Sequence, residues 1–310
     1  MKKENPKKNI ILSQQFSIEF LNELFKLTDF MKQNETKVSE ELRGKIVSLL
    51  FYESSTRTRF SFESAVLKLG GNCITTENAA QFSSASKGET LEDSIRMVST
   101  YCDFIILRHN EDNSSKRAVS VASVPVINAG SGKSQHPTQA LLDLYTIYEE
   151  FGTLENMKFA IVGDLLRGRT CDSLVYLLSK FKGNEFFFVS PDNSKIKESL
   201  KNYLVENNLN FSEVDNLDDV LPAVDVCYMT RIQKERFESL VEYEKTKGLF
   251  ILDKENVELM KDNAIIMHPL PRVDEITLDV DMNKRARYFE QAKNGLYVRM
   301  AILKLLNDNV

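Results

Sequence analysis

The sequence predicts an α/β protein of two domains, each a parallel β-sheet covered by helices. Three observations predict it. Short apolar runs rich in Val, Ile and Phe alternate with amphipathic stretches along the chain. At 310 residues the chain is about twice the length of a typical domain. The alternation also restarts after the long stretch "PTQALLDLYTIYEEF", giving two series of similar length. Strands joined by helical crossovers pair in parallel.

The first series opens with an amphipathic helix over 17–32, with Ile18, Leu21, Leu24, Phe25 and Thr28 on its apolar side. "KIVSLLFY" reads as a buried strand over 46–52. A helix over 57–69 follows, with Phe60, Phe62, Val66, Leu67 and Leu69 as apolar positions and Gly70-Gly71 as its stop. A short strand at 72–75, a helix at 89–100, a strand at 103–107, a helix at 114–122 and the strand "VPVIN" complete the series. Pro137 then opens a long helix, where its missing N–H costs nothing. The second series reads as strand "KFAIVGD", helix 169–181, strand "EFFFVS", helix 194–206, strand 210–214, helix 217–222 and strand "VDVCYM". Helix 234–244, strand "LFILD", helix 254–261, strand "AIIMHP" and a final helix over 284–307 close it.

Composition narrows the function. With 42% hydrophobic and 27% charged residues, the chain can bury an ordinary core. A net charge of −5 argues against nucleic acid as a partner, so a basic cluster here serves a small anion. No apolar run approaches the roughly 18 residues of a membrane span. "MKKENPKKN" is basic, but the "IILSQQFS" behind it is too short and polar for a signal-peptide core, so a cytoplasmic protein is expected. The cysteines at 73, 102, 171 and 227 form no CxxC pair, which predicts reduced, mostly buried thiols and no metal site. "VGDLLRGR" lacks the GxGxxG glycines that bring backbone against a pyrophosphate; no nicotinamide or other cofactor is expected.

In parallel sheets ligands gather beyond the carboxyl ends of the strands. Five strand-end loops carry polar clusters: "ESSTRTR" (53–59), "LRH" (107–109), "SQHPTQ" (134–139), "GDLLRGRT" (163–170) with "TRIQKER" (230–236), and "HPLPRVDEI" (268–276). Each taken singly has a bland reading as a helix cap, a surface ion pair or a strand exit. Their recurrence at five strand ends points instead to a site. At 53–59, free helix N–H groups, hydroxyls and two guanidinium groups at one helix start suit a phosphate.

The stretches "FYESSTRTRFSFESA", "SQHPTQALLDL", "YMTRIQKER" and "MHPLPRVDEI" together resemble the signatures of the aspartate carbamoyltransferase catalytic chain, in the family's order, over roughly residues 44 to 300. The resemblance implies a carbamoyl-phosphate domain (1–137 plus 293–310), an aspartate domain (138–292), a final helix returning to the first domain, and a homotrimer. It implies that Ser55, Thr56, Arg57 and Thr58 hold the phosphate, with Arg108 as a second guanidinium. Thr58, Arg108 and His136 would reach the carbonyl oxygen, and Gln139 with the carbonyls of Pro269 and Leu270 would hold the carbamoyl NH2. Lys87, Arg169, Arg231 and Gln233 would hold aspartate, with Ser83 and Lys87 coming from the neighbouring chain. Carbamoyl transfer from carbamoyl phosphate to L-aspartate follows, without a metal; a separate regulatory chain is an open possibility.

Two departures from the family pattern stand out: Ser131 where an Asp is usual, and Leu166-Arg167 in place of a polar–aromatic pair. The alternatives are a carbamoyltransferase for another amine such as ornithine, or an inactive regulatory homologue. The first would want acidic or uncharged contacts instead of Arg169 and Arg231, and the second would have lost a catalytic donor.

Overall fold

The computed structural model describes residues 8–232 and 239–309. The chain divides into two units, Met1–Tyr145 with Lys293–Val310, and Thr146–Ala292. The first contains α1 (Ile18–Gln33), β1 (Ile46–Phe51), α2 (Thr56–Lys68), β2 (Asn72–Glu77), α3 (Ala79–Phe82), α4 (Leu91–Val98), β3 (Phe104–His109), α5 (Ser114–Val121) and β4 (Val126–Ser131). Helix α6 (Pro137–Phe151) crosses into the second unit. There follow β5 (Lys158–Val162), α7 (Arg169–Leu178), β6 (Glu185–Val189), α8 (Glu198–Glu206), β7 (Asn210–Val214), β8 (Val226–Met229), α9 (Leu240–Thr246), α10 (Lys254–Val257) and β9 (Ile265–Met267). Helix α11 (Tyr288–Asn307) begins in the second unit and ends in the first.

The first sheet has the order β2-β1-β3-β4 and the second β7-β6-β5-β8-β9, every pair parallel. Burial follows position. The inner strand β1 is buried after its first residue, whereas the edge strand β2 is largely open, the pattern of a sheet covered on both faces. Helix α1 starts where the Ser17 side chain accepts from the Phe20 N–H, and Leu21, Leu24, Phe25 and Thr28 turn into the core. Ile18 stays exposed, as do Phe60 and Leu67 of α2, while Phe62, Val66 and Leu69 are buried.

The last turns of α11 are tied into the first unit. Tyr297 Oη donates to Glu35 Oε2 at 2.9 Å, Asn307 Nδ2 to the Glu41 carbonyl at 3.0 Å, and Lys32 Nζ to Asn294 Oδ1 at 3.3 Å. The returning final helix expected from the resemblance is present.

Four expected elements differ. Residues 217–222 form turns, with the Val220 and Leu221 N–H groups both donating to the Leu217 carbonyl; Pro222 disfavours helical geometry at Leu221 and supplies no N–H. "LFILD" is not a sheet strand. Leu252 instead bonds the 275–277 segment, its N–H to the Glu275 carbonyl at 2.9 Å and its carbonyl to the Thr277 N–H at 3.0 Å. The helix expected over 254–261 stops at Val257, and that expected over 234–244 begins at Leu240, with residues 233–238 outside the described ones.

Two details of the second unit position its loops. Gly163, directly after β5, has φ +120°, and a Cβ there would lie 2.3 Å from the Thr230 carbonyl oxygen beyond β8. Only glycine lets these two loops run so close. Asp172, in the first turn of α7, is buried; its Oδ2 accepts from Lys197 Nζ at 2.5 Å, while Oδ1 is buried without a hydrogen-bond partner. Burial outweighs the attraction of Lys197 and pushes the carboxyl up to about 6.

A folded-state value above the unfolded one means that ionisation costs stability. The Asp172 contribution is therefore full below about 3.8 and lost as the pH rises through about 6. Between pH 4 and pH 7 the unfolding free energy of the wild type, relative to Asp172→Asn, should fall by about 2 kcal/mol in urea titrations. A flat or rising difference would contradict this assignment.

Candidate active site

Parallel pairing sends the exits of β1, β3 and β4 to one edge of the first sheet, and those of β5, β8 and β9 to one edge of the second. Ser55, Thr56, Arg57 and Thr58 follow β1, Arg108 lies near the end of β3, and His136 and Gln139 follow β4. Gly163 to Arg169 follow β5, Arg231 follows β8, and His268, Pro269 and Leu270 follow β9.

Helix α2 opens with no acidic residue in its first turn and no side-chain cap from Ser55. No side chain of the helix's own first turn thus offsets its first N–H groups and the positive end of its dipole. The Ser55 N–H donates to Glu77 Oε1 at 3.2 Å, which orients the entry to the helix. The two arginines have different roles. Arg59 is held by Glu77 at 2.5 Å and Glu63 at 3.3 Å, with its guanidinium 5.1 Å from the Phe60 ring centroid. Arg57 is exposed beside Thr56, while Thr58 is buried. Arg108 is half-buried with its Nε 3.2 Å from Glu53 Oε2, an ion pair across the exits of β1 and β3.

At the start of α6, His136 is buried, with its Nδ1 3.5 Å from Thr138 Oγ1. The Gln139 side chain donates from Nε2 to Asp143 Oδ1 at 2.8 Å. Ser131, one of the two departures, is buried in a hydroxyl cluster, 2.5 Å from Ser115 Oγ and 3.2 Å from both Ser114 Oγ and Asn128 Oδ1. A neutral network thus occupies the position of the expected carboxylate. The nearby His109 is held below its ordinary value chiefly by burial, and its Nδ1 accepts from the Glu111 N–H at 3.0 Å, leaving the proton on Nε2.

In the second unit Arg169 is buried at the start of α7. Arg167, from the other departure, reaches Ser194 Oγ at 3.2 Å and Asp164 Oδ1 at 3.5 Å, so this arginine braces its own loop. Arg231 is half-buried, and Gln233 lies outside the described residues. After β9 the His268 ring bridges two groups. Its Nδ1 accepts from the Leu270 N–H at 2.7 Å, so Nε2 carries the proton and donates to Glu275 Oε1 at 2.7 Å. Burial acts to raise the Glu275 carboxyl, but His268 and the backbone N–H groups prevail and hold it below its usual range. Leu270 has φ +54°, a left-handed conformation that strains a leucine, and the His268 bond fixes its amide. The turn that presents the Pro269 and Leu270 carbonyls is thereby locked.

Ser83 precedes, and Lys87 ends, a short 3-10 turn, Ser84–Lys87. The Ser83 hydroxyl donates to the Ala79 carbonyl at 2.5 Å and accepts from the Ala85 N–H at 3.2 Å, and Lys87 is exposed. Among the described residues no group of His, Cys, Asp and Glu could hold a metal ion. All four thiols are free and pushed up by burial, Cys73 and Cys102 to about 11, Cys171 and Cys227 to about 12. Only Cys171 and Cys227 are fully buried; the other two are half-buried, short of the mostly buried set expected.

Sequence reading missed the carboxylates that organise these residues: Glu53, Glu77, Asp143 and Glu275. Asp143 carried a signal, lying four residues after Gln139 on a predicted helix, where side chains meet. Glu275 shares a loop with its partner His268, whereas Glu53 and Glu77 join segments that only the fold brings together.

The comparisons with known proteins agree in both halves. Residues 8–149 match the family model for the aspartate/ornithine carbamoyltransferase carbamoyl-P binding domain, and residues 155–306 that for the Asp/Orn binding domain. Aspartate carbamoyltransferase 3, chloroplastic, of Pisum sativum is 52% identical over 301 residues, covering 96% of this chain and 77% of the relative. The aspartate carbamoyltransferase catalytic subunit of Clostridium novyi is 47% identical, covering 96% of each chain. The catalytic subunit of M. jannaschii aspartate transcarbamoylase superposes with a TM-score of 0.89 at 46% identity, covering 97% of this chain and 98% of that one. The Trypanosoma cruzi aspartate transcarbamoylase in complex with carbamoyl phosphate gives 0.90 at 37% identity, covering 97% and 96%. The chain belongs to the aspartate/ornithine carbamoyltransferase family, with aspartate carbamoyltransferases among its close relatives.

Proposed function

We propose that this protein transfers the carbamoyl group of carbamoyl phosphate to the amine of L-aspartate, giving N-carbamoyl-L-aspartate and phosphate, an early step of pyrimidine biosynthesis. The observation that carries the reading is the likeness, over nearly the full chain, to proteins named for that activity. Nothing in the second unit favours ornithine: a cationic side chain would meet Arg169 and Arg231.

In this reading the phosphate dianion sits at the start of α2. Ser55, Thr56, Arg57 and Thr58 donate to it, and Arg108 adds a second guanidinium, released from Glu53. The amine attacks the carbamoyl carbon, and the oxygen of the tetrahedral centre gathers charge. Thr58, Arg108 and His136 are its donors, each worth on the order of 3 kcal/mol when preorganised. His136 acts as a neutral donor, and the departing phosphate takes the amine proton. Gln139 and the carbonyls of Pro269 and Leu270 accept from the carbamoyl nitrogen; Arg169, Arg231 and Gln233 bind the two aspartate carboxylates. No metal or covalent intermediate is required.

A homotrimer in the cytoplasm completes the proposal, with Ser83 and Lys87 reaching a neighbour's site; free thiols suit a reducing compartment. The P. sativum relative is named chloroplastic, so compartment is a property of each protein. A regulatory chain is a further proposed partner; the C. novyi relative is named a catalytic subunit.

An acceptor panel with carbamoyl phosphate and aspartate, ornithine, putrescine or oxamate tests the reaction. Aspartate should react fastest, and faster turnover of ornithine would overturn the assignment. The shared site has its own test. Lys87→Ala and His136→Ala should each be nearly inactive, and dissociating and reassembling them together should restore activity in hybrid trimers. Hybrids as inactive as their parents would refute it.

A further inference from the structure

Behind Gln139 lie two buried residues of opposite charge that the reaction scheme does not use. Asp143 is fully buried one turn along α6, and Arg299 of α11 is 3% exposed. The Arg299 guanidinium lies 4.9 Å from the ring centroid of Phe62 on α2, and its Nε is buried without a hydrogen-bond partner. Burial pulls this arginine down to about 10, and Asp143 is the group whose charge opposes that loss. Gly295 makes room for it: a Cβ there would stand 2.4 Å from Arg299 Nη1. A buried cation in turn needs an anion beside it.

The pair bears on the direction of an amide. A carboxylate only accepts hydrogen bonds, so Gln139 must turn its NH2 toward Asp143, as the 2.8 Å Nε2 to Oδ1 bond has it. The carbonyl Oε1 is then the end left to face a ligand. We infer that Asp143, backed by Arg299, is the positioning residue that fixes the Gln139 amide as an acceptor and so selects carbamoyl phosphate over acetyl phosphate. A carbamoyl NH2 donates to such an acceptor, whereas an acetyl CH3 of the same shape does not. The inference rests on the reading of Gln139 as a carbamoyl contact.

The test is the ratio of kcat/KM for carbamoyl phosphate to that for acetyl phosphate, each with aspartate as acceptor. Asp143→Asn lets an amide at this position donate to Gln139 Oε1 and turn the side chain over. The ratio should fall about tenfold, the worth of one hydrogen bond, with acetyl transfer much less affected. Gln139→Met should lose the same discrimination, and the double variant no more than either alone. Should Asp143→Asn fail to fold, Asp143→Ala is read in the same way. A ratio unchanged in the Asp143 variant while Gln139→Met lowers it, or equal losses with both phosphates, would overturn the positioning role. An unchanged ratio in Gln139→Met would overturn the underlying reading of Gln139, and absence of carbamoyl transfer by the wild type would overturn the proposed reaction itself.

Discussion

Parallel pairing is the constraint on which the rest depends. When all strands of a sheet run one way, every loop that leaves a strand emerges at one edge, whatever the separation in sequence. Residues 53–58, 108 and 136–139 are drawn together by the order β2-β1-β3-β4, and residues 163–169, 231 and 268–270 by the adjacency of β5, β8 and β9. Each unit gathers cationic and hydrogen-bonding groups at its own edge. In the proposed reading one set holds the phosphate and the other offers two arginines to a dicarboxylate.

Carboxylates organise these cations. Glu77 and Glu63 hold Arg59 in the structure, while Arg57, the other arginine of the motif, is left exposed at the helix start. Glu53 keeps Arg108 at the β1 and β3 exits, and Glu275 fixes the tautomer of His268, which in turn holds the Leu270 amide. Such partners orient donors without adding to the chemistry. The arginines at both strand-end edges are thus interleaved with carboxylates, in keeping with the net charge of −5.

Much of this was legible in the sequence because it is local. The helix start at Thr56, Pro137 opening α6 and the strand "EFFFVS" each follow from period, capping and proline rules applied to a few residues. The misreadings share a cause. "LFILD" has the composition of a strand, but its hydrogen bonds go to residues 275–277, a choice made by tertiary packing. The site was legible as motifs, and its roles came from family resemblance. What stayed hidden were pairings such as Glu53 with Arg108 and Glu77 with Arg59, whose members meet only after the sheet has formed.

The proposed reaction requires a phosphate site and an aspartate site that act on one pair of substrates. Calorimetry with N-(phosphonacetyl)-L-aspartate measures this most directly, since that molecule carries a phosphonate and an aspartate in one frame. Linking two bound groups turns the second binding event into an intramolecular one, so the compound should bind at least about a hundredfold more tightly than either phosphate or aspartate. Arg57→Ala and Arg231→Ala should each remove most of that gain. An affinity no better than that of the tighter single ligand would contradict the account.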